Sequence, residues 1–129
     1  MAQTTIKVLG FHIDVYQHVN NARYLEFLEA ARWQWLDGHS SEKWMREKNM
    51  AFIVVNININ YRKSAVLGDE LLIDSKVKEL GKRSGVLEQV ITCKGEAVAD
   101  AAITFVCIDL KTQKSLALEG ELLEKLEKL

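Results

Sequence analysis

A carboxylate and an imidazole, Asp14 and His18, stand close together in a polar segment that precedes a long stretch with helical periodicity. A carboxylate beside the start of a helix can act as a nucleophile or a general base. The free N–H groups of the first helical turn can stabilise a developing oxyanion. This combination suits acyl transfer from a thioester. The structural alternative is an ordinary turn, in which Asp14 bonds backbone amides and His18 is a surface residue.

Composition narrows the function classes. We predict a single domain over residues 1–129, a length sufficient for its own core. With 17 Lys and Arg against 18 Asp and Glu, bulk nucleic-acid binding is disfavoured. No apolar run is long enough to cross a bilayer. Cys93 and Cys107 lie in apolar runs without CxxC spacing, which indicates reduced core residues and a cytoplasmic protein. His12, Asp14 and His18 are too sparse a set for a zinc site, so no metal is expected.

The elements that must position Asp14 follow from periodicity and turn residues. The long helix runs from about Asn20 to Asp37-Gly38 and has an apolar face. A serine-capped short helix at 40–48 is expected to pack over a sheet edge. Strands are predicted at 4–11, 52–61, 70–80, 86–94 and 97–110, and a second amphipathic helix at 116–129. This order favours an α+β fold with an antiparallel sheet packed on the helix. The predicted apolar face consists of Tyr24, Phe27, Leu28, Ala31 and Trp35.

Three long segments, residues 18–29, 54–62 and 103–114, carry a family resemblance. With the order of elements, they resemble the hot-dog-fold acyl-CoA thioesterases of the 4-hydroxybenzoyl-CoA thioesterase class, and among these the bacterial long-chain type III enzymes. The resemblance implies a curved antiparallel sheet wrapped around one long helix, with active sites at a dimer interface and no metal or bound cofactor. It further implies hydrolysis of long-chain fatty acyl-CoA by a homodimer or homotetramer.

Carried over to this sequence, the resemblance makes Asp14 the nucleophile or general base and the backbone N–H of Asn21 the oxyanion donor. His18 would orient Asp14, polarise the thioester carbonyl or bind water, unless it is purely structural. The same segment is similar to plant acyl-carrier-protein thioesterases, but Tyr16 stands where those enzymes have an Asn. Glu79 is similar to a further glutamate of the plant pattern, with different spacing; the alternative is an ordinary surface residue.

Basic residues are the candidates for binding the phosphates of coenzyme A through charge-assisted hydrogen bonds. They are Arg62 and Lys63 after one strand, and Lys82, Arg83 and Ser84 in a tight turn. The alternative is a solvated basic turn. Tyr24, in the matched helix segment, is a further candidate for substrate contact.

Two further sets of residues have two interpretations each. One set would line an acyl tunnel or belong to the core: Phe27, Leu28, Trp33, Trp35 and Met45. The other set would join subunits through an amide ladder or face solvent: Asn56, Asn58 and Asn60.

Competing functions are an acyl-carrier-protein thioesterase and a non-catalytic acyl-CoA-binding module. A structural oligomerisation domain is disfavoured, because it would have no use for a carboxylate and an imidazole ahead of a helix.

Overall fold

The computed structural model describes residues 2–129, in which a five-stranded antiparallel sheet packs against a long helix. Strand order is β1-β3-β4-β5-β2, so β1 and β2 are the edge strands. This architecture is α+β, as predicted. In residues 2–129 no helix is both long and apolar enough to span a membrane. The elements in chain order are β1 (Ala2–Lys7), a 3₁₀ turn (Gly10–His12), α1 (Asn21–Gly38), α2 (Ser41–Glu47), β2 (Met50–Tyr61), β3 (Glu70–Leu80), β4 (Ser84–Cys93), β5 (Glu96–Asp109) and α3 (Gly120–Glu127).

Helix α1 begins and ends where the sequence predicted. Asn20 caps it, since its side-chain Oδ1 accepts a hydrogen bond from the Ala22 N–H at 2.9 Å. The five residues of the predicted apolar face are all buried. They pack on the sheet face that carries Leu71, Ile73, Ile91, Ile103 and Phe105. Burial of this face fixes the helix over the sheet and so fixes the position of its N-terminus.

A buried polar side chain also joins α1 to the sheet. Gln89 of β4 is fully buried, and its Nε2 donates to the Leu28 carbonyl at 3.1 Å and to Ser75 Oγ at 3.0 Å. Its Oε1 accepts from the Arg32 guanidinium at 3.0 Å. An unpaired amide in the core would cost free energy of folding. These hydrogen bonds therefore fix the rotation of α1 about its own axis relative to β3 and β4. Nothing in the sequence pattern marked Gln89.

Strand β2 is longer than predicted and is not strictly alternating. It begins at Met50, and its register against β5 shifts between Val54 and Asn56. Val55 is the extra residue of this bulge, and 55% of its surface is exposed. Alternation in the sequence predicts one apolar face for Val55, Ile57 and Ile59; this is wrong at Val55, while Ile57 and Ile59 do pack against the core.

Three other boundaries differ from prediction for identifiable reasons. The first strand stops at Lys7 because the Leu9 N–H turns to His12 Nδ1, at 2.9 Å, in the 3₁₀ turn. Helix α3 starts at Gly120 because Leu116 and Leu118 donate instead to the carbonyls of Cys107 and Lys82. Helix α2 forms and contacts the edge strand β2, but Ser40 has a φ of 54° and makes no side-chain cap.

The cysteine interpretation agrees with the structure for Cys107, which is fully buried; burial raises the pKa of its thiol to about 12. Cys93 is partly buried and also a free thiol.

Candidate active site

Asp14 lies in a tight turn between the 3₁₀ turn and α1. Its backbone N–H donates to the His18 carbonyl and its carbonyl accepts from the Gln17 N–H, both at 3.0 Å. Gln17 adopts the left-handed region, with a φ of 66°. The carboxylate Oδ1 accepts from the Tyr16 N–H at 2.9 Å, a local Asx turn. The turn thus holds a partly buried carboxylate in a fixed orientation.

Asn20 connects Asp14 to the start of α1. Its Nδ2 lies 3.5 Å from the second carboxylate oxygen of Asp14, while its Oδ1 caps the helix. Its own N–H donates to the His12 carbonyl at 3.0 Å. Sequence reasoning did not assign Asn20 a role, although its type and position are those of an N-cap.

The first turn of α1 keeps a donor free. The Ala22 N–H bonds the Asn20 cap and the Arg23 N–H bonds the Asn20 carbonyl, but the Asn21 N–H has no acceptor within residues 2–129. The Asn21 carbonyl accepts instead from the Tyr61 hydroxyl at 3.3 Å. A free N–H at a helix start favours an anion. Tyr61 lines the same cavity as Asp14 and is a candidate site residue that the sequence analysis missed.

The structure brings six of the predicted site residues to one open cavity of about 530 Å³. Asp14 and His18 lie on one side, Asn21 and Tyr24 on the helix, and Arg62 and Lys63 on the loop after β2. His18 is exposed, and its imidazole makes no hydrogen bond to the described residues. The cavity therefore has one wall from the Asp14 turn, one from α1 and one from the end of β2.

The three candidate substrate-binding residues of this cavity already have partners in the chain. Tyr24 is buried, and its hydroxyl accepts from the Ala65 N–H at 3.1 Å; burial raises the pKa of that hydroxyl. Arg62 bonds Asp100 at 2.8 Å, a contact that raises the pKa of Arg62 and lowers the pKa of Asp100.

Lys63 likewise pairs with Glu96, which raises the pKa of the lysine and lowers that of the carboxyl. Both cations are exposed, so these ion pairs are weak in water.

Glu79, Lys82, Arg83 and Ser84 lie elsewhere in the same chain. Ser84 pairs with Val106 of β5, whereas Tyr61 pairs with Ala99, so the two ends are about 24 Å apart along the strand. Arg83 donates to the Ser115 carbonyl at 3.1 Å. Glu79 is exposed and lines a separate groove beside α3. A single chain does not bring these residues to Asp14.

An apolar groove of about 360 Å³ lies between the second half of α1 and the start of β2. Of the candidate tunnel residues, Trp33 and Met45 line it, while Phe27, Leu28 and Trp35 are buried core residues. Charged residues, Glu29 and Arg32 among them, stand beside its apolar walls.

No cluster of three or more His, Cys, Asp or Glu side chains placed to hold a metal ion occurs between residues 2 and 129.

Comparison with known proteins shows the family to which the chain belongs. The family model of the thioesterase-like superfamily matches residues 9–126. The chain belongs to that superfamily. It is 66% identical to the long-chain acyl-CoA thioesterase FadM of Escherichia coli K12, over 98% of each chain. It is 30% identical to the acyl-CoA thioesterase YbgC of Haemophilus influenzae, over 80% of this chain and 77% of that one.

Solved structures give the same relationship. The crystal structure of the probable thioesterase YbaW from Escherichia coli superimposes with a TM-score of 0.93 at 66% identity, covering 98% of this chain and 96% of that one. The hot-dog fold implied by the resemblance is therefore confirmed.

Proposed function

We propose that this protein hydrolyses long-chain fatty acyl-CoA thioesters to free fatty acid and CoA. The observation that carries the proposal is the pairing of a partly buried, oriented carboxylate with a free helix N-terminal N–H in one cavity. Membership of the thioesterase-like superfamily and the 66% identity to a long-chain acyl-CoA thioesterase support the substrate class. The cytoplasmic location stays a prediction.

In the proposed reaction, the thioester carbonyl oxygen points at the Asn21 N–H. The carboxylate of Asp14 either attacks the carbonyl carbon, giving a mixed anhydride that water cleaves, or removes a proton from the attacking water. In both routes the carbon–sulfur bond breaks and the CoA thiolate takes up a proton. The helix N-terminus stabilises the negative charge that develops on the carbonyl oxygen. Asn20 and Tyr61 hold the two parts of this site in register.

We further propose that the protein works as a homodimer or a dimer of dimers joined along β2. This strand is a twelve-residue edge, and Ile53, Val54 and Val55 on it are between 40% and 55% exposed. A long apolar edge strand favours pairing with another strand. A two-fold axis normal to the sheet would extend it antiparallel and keep both copies of α1 on one face.

Such pairing would place the start of β2 in one copy beside the end of β2 in the other. The groove lies at the Met50–Val54 end of β2 and the Asp14 cavity at its Tyr61 end, about 24 Å apart along the strand. In the proposed dimer, the groove of one copy would face the Asp14 cavity of the other and take the alkyl chain. The turn with Lys82 and Arg83 lies at the groove end of the sheet. In the dimer it would therefore stand near the Asp14 cavity of the other copy, where it would bind CoA phosphates.

The proposed activity is tested by thiol release from acyl-CoA of eight to eighteen carbons, with the corresponding acyl-carrier-protein thioesters as the comparison. We expect release from long-chain acyl-CoA, with chelator having no effect. Faster release from the carrier protein would reassign the substrate. Binding of acyl-CoA by folded protein without thiol release would contradict the enzyme proposal.

A further inference from the structure

Gly85 stands in a strand where its backbone has no need of glycine. It is the second residue of β4, buried, with a φ outside the left-handed region. Glycine weakens a strand because it adds no side-chain packing and loses more conformational freedom on folding. Another feature of the structure must therefore account for a missing side chain at this position.

The ring of Phe105 accounts for it. Phe105 is the direct partner of Gly85 across the β4–β5 pair, on the face of the sheet that α1 covers. A Cβ on Gly85 would lie 2.6 Å from both Cε1 and Cζ of that ring, and 3.0 Å from Leu80 Cδ2. The ring thus rests on the bare backbone of β4, where any larger residue would displace it.

The position of this ring matters because Phe105 is also a wall of the apolar groove. On its other side Phe105 pairs with Val54 of β2, and its ring meets Phe52 edge to face with centroids 5.4 Å apart. Phe52 and Val54 line the groove with it. With the ring held over Gly85, the space above β2 stays open; a ring pushed off Gly85 moves towards that space.

We propose that the Gly85–Phe105 pair sets the depth of the groove and so the longest acyl chain that the enzyme accepts. This inference rests on the proposed function and on the groove as the alkyl site. A groove of about 360 Å³ is at the small end of the range for small-molecule sites, about 300–1,000 Å³, so the displacement of one ring is a large fraction of it. Gly85 and Phe105 are specificity residues and touch none of the reacting atoms.

The test is the chain-length profile of kcat/KM from octanoyl-CoA to octadecanoyl-CoA for Gly85→Ala, Phe105→Leu and the double variant. Gly85→Ala should leave the shortest substrates within about twofold and lower kcat/KM for the longest. The expected loss is about fourfold for each methylene group that loses its burial. Phe105→Leu should shift the optimum to longer chains. In the double variant the smaller side chain makes room for the methyl group, so its profile should return towards that of the wild type.

Gly38→Ala is the matched control, since nothing lies within 4 Å of a Cβ at that position, and its profile should equal the wild type. Equal losses by Gly85→Ala at every chain length would overturn the inference, because the pair would then act on folding alone. If Gly85→Ala does not fold, Phe105→Leu decides, and an unchanged profile overturns the inference. Absence of thiol release by wild-type protein is a different result, which removes the proposed function itself.

Discussion

Asp14 is the residue on which the proposed chemistry depends, and its own turn holds it in place. Asp14→Asn keeps an oxygen for the Tyr16 N–H but removes the nucleophile or base. We expect folding to be retained and kcat to fall by at least about 100-fold. Steady-state thiol release, with thermal unfolding to confirm the fold, gives the answer.

His18→Ala is the comparison variant, and it should cost less because His18 is exposed and no hydrogen bond holds its imidazole among the described residues. Near wild-type turnover of Asp14→Asn would show that another carboxylate does the work, with Glu79 next to be tested.

The contacts around Asp14 divide into those that sequence could predict and those it could not. Asp14 and Asn21 are near neighbours in the chain, so a polar turn before a helix was enough to place them together. Tyr61 reaches Asn21 only because β2 pairs with β5 in one register. The same register gives Arg62 its partner Asp100. Such pairings depend on the assembled sheet, and local patterns carry no information about them.

Among the elements, the 3₁₀ turn that precedes Asp14 contains a histidine that must be neutral. His12 Nδ1 accepts from the Leu9 N–H, and its ring meets Phe27 edge to face at 4.8 Å. Burial, and then the charge of Arg23, lower the pKa of His12 below its ordinary value, against a smaller effect of Glu26.

The unfolded chain therefore binds a proton at His12 more tightly than the folded chain does. The free energy of unfolding should fall as pH drops below about 6.5. Denaturant titrations between about pH 5 and pH 7.5 measure this slope. In His12→Asn, an amide oxygen can accept from Leu9 and does not titrate, so the slope should be smaller. Identical slopes for both proteins would show that His12 is not its source.

The β3–β4 turn is the element expected to recognise the nucleotide. Replacing Lys82 and Arg83 by alanine should raise KM for acyl-CoA, and added salt should reduce the difference. A truncated thioester without the nucleotide is the control, because Arg83 also bonds the Ser115 carbonyl and supports the segment before α3. Equal losses on both substrates would assign the turn a folding role.

The type of each helix and strand could be predicted from the periodicity of the sequence, but the ends of several of them could not. The apolar face of α1 is a local pattern that burial reproduces residue by residue. The ends of β1 and α3 depend on non-local or side-chain hydrogen bonds, from Leu9 to His12 and from Leu118 to Lys82. Where tertiary bonds compete with the local pattern, the pattern extends an element too far.

For the whole molecule, the open edge of β2 predicts self-association. Val55→Lys places a charge on that edge, and we expect a shift towards monomer with a loss of activity, since one chain holds only part of the proposed site. Light scattering at micromolar concentration, with thiol release on the same samples, measures both. Thr5→Lys, an exposed residue of the opposite edge strand, is the control. A Val55→Lys monomer of full specific activity would refute a shared site.

The strand order β1-β3-β4-β5-β2 has a consequence for the folding pathway. Strands β3, β4 and β5 are joined by short turns and can pair early. Strand β2 precedes β3 in the chain, so its pairing with β5 must close a much longer loop. Until that pairing forms, β5, the strand with the most buried apolar residues, has an open edge that other chains can reach. Refolding yield should therefore fall with protein concentration, and the β2 edge that is proposed for assembly is completed last.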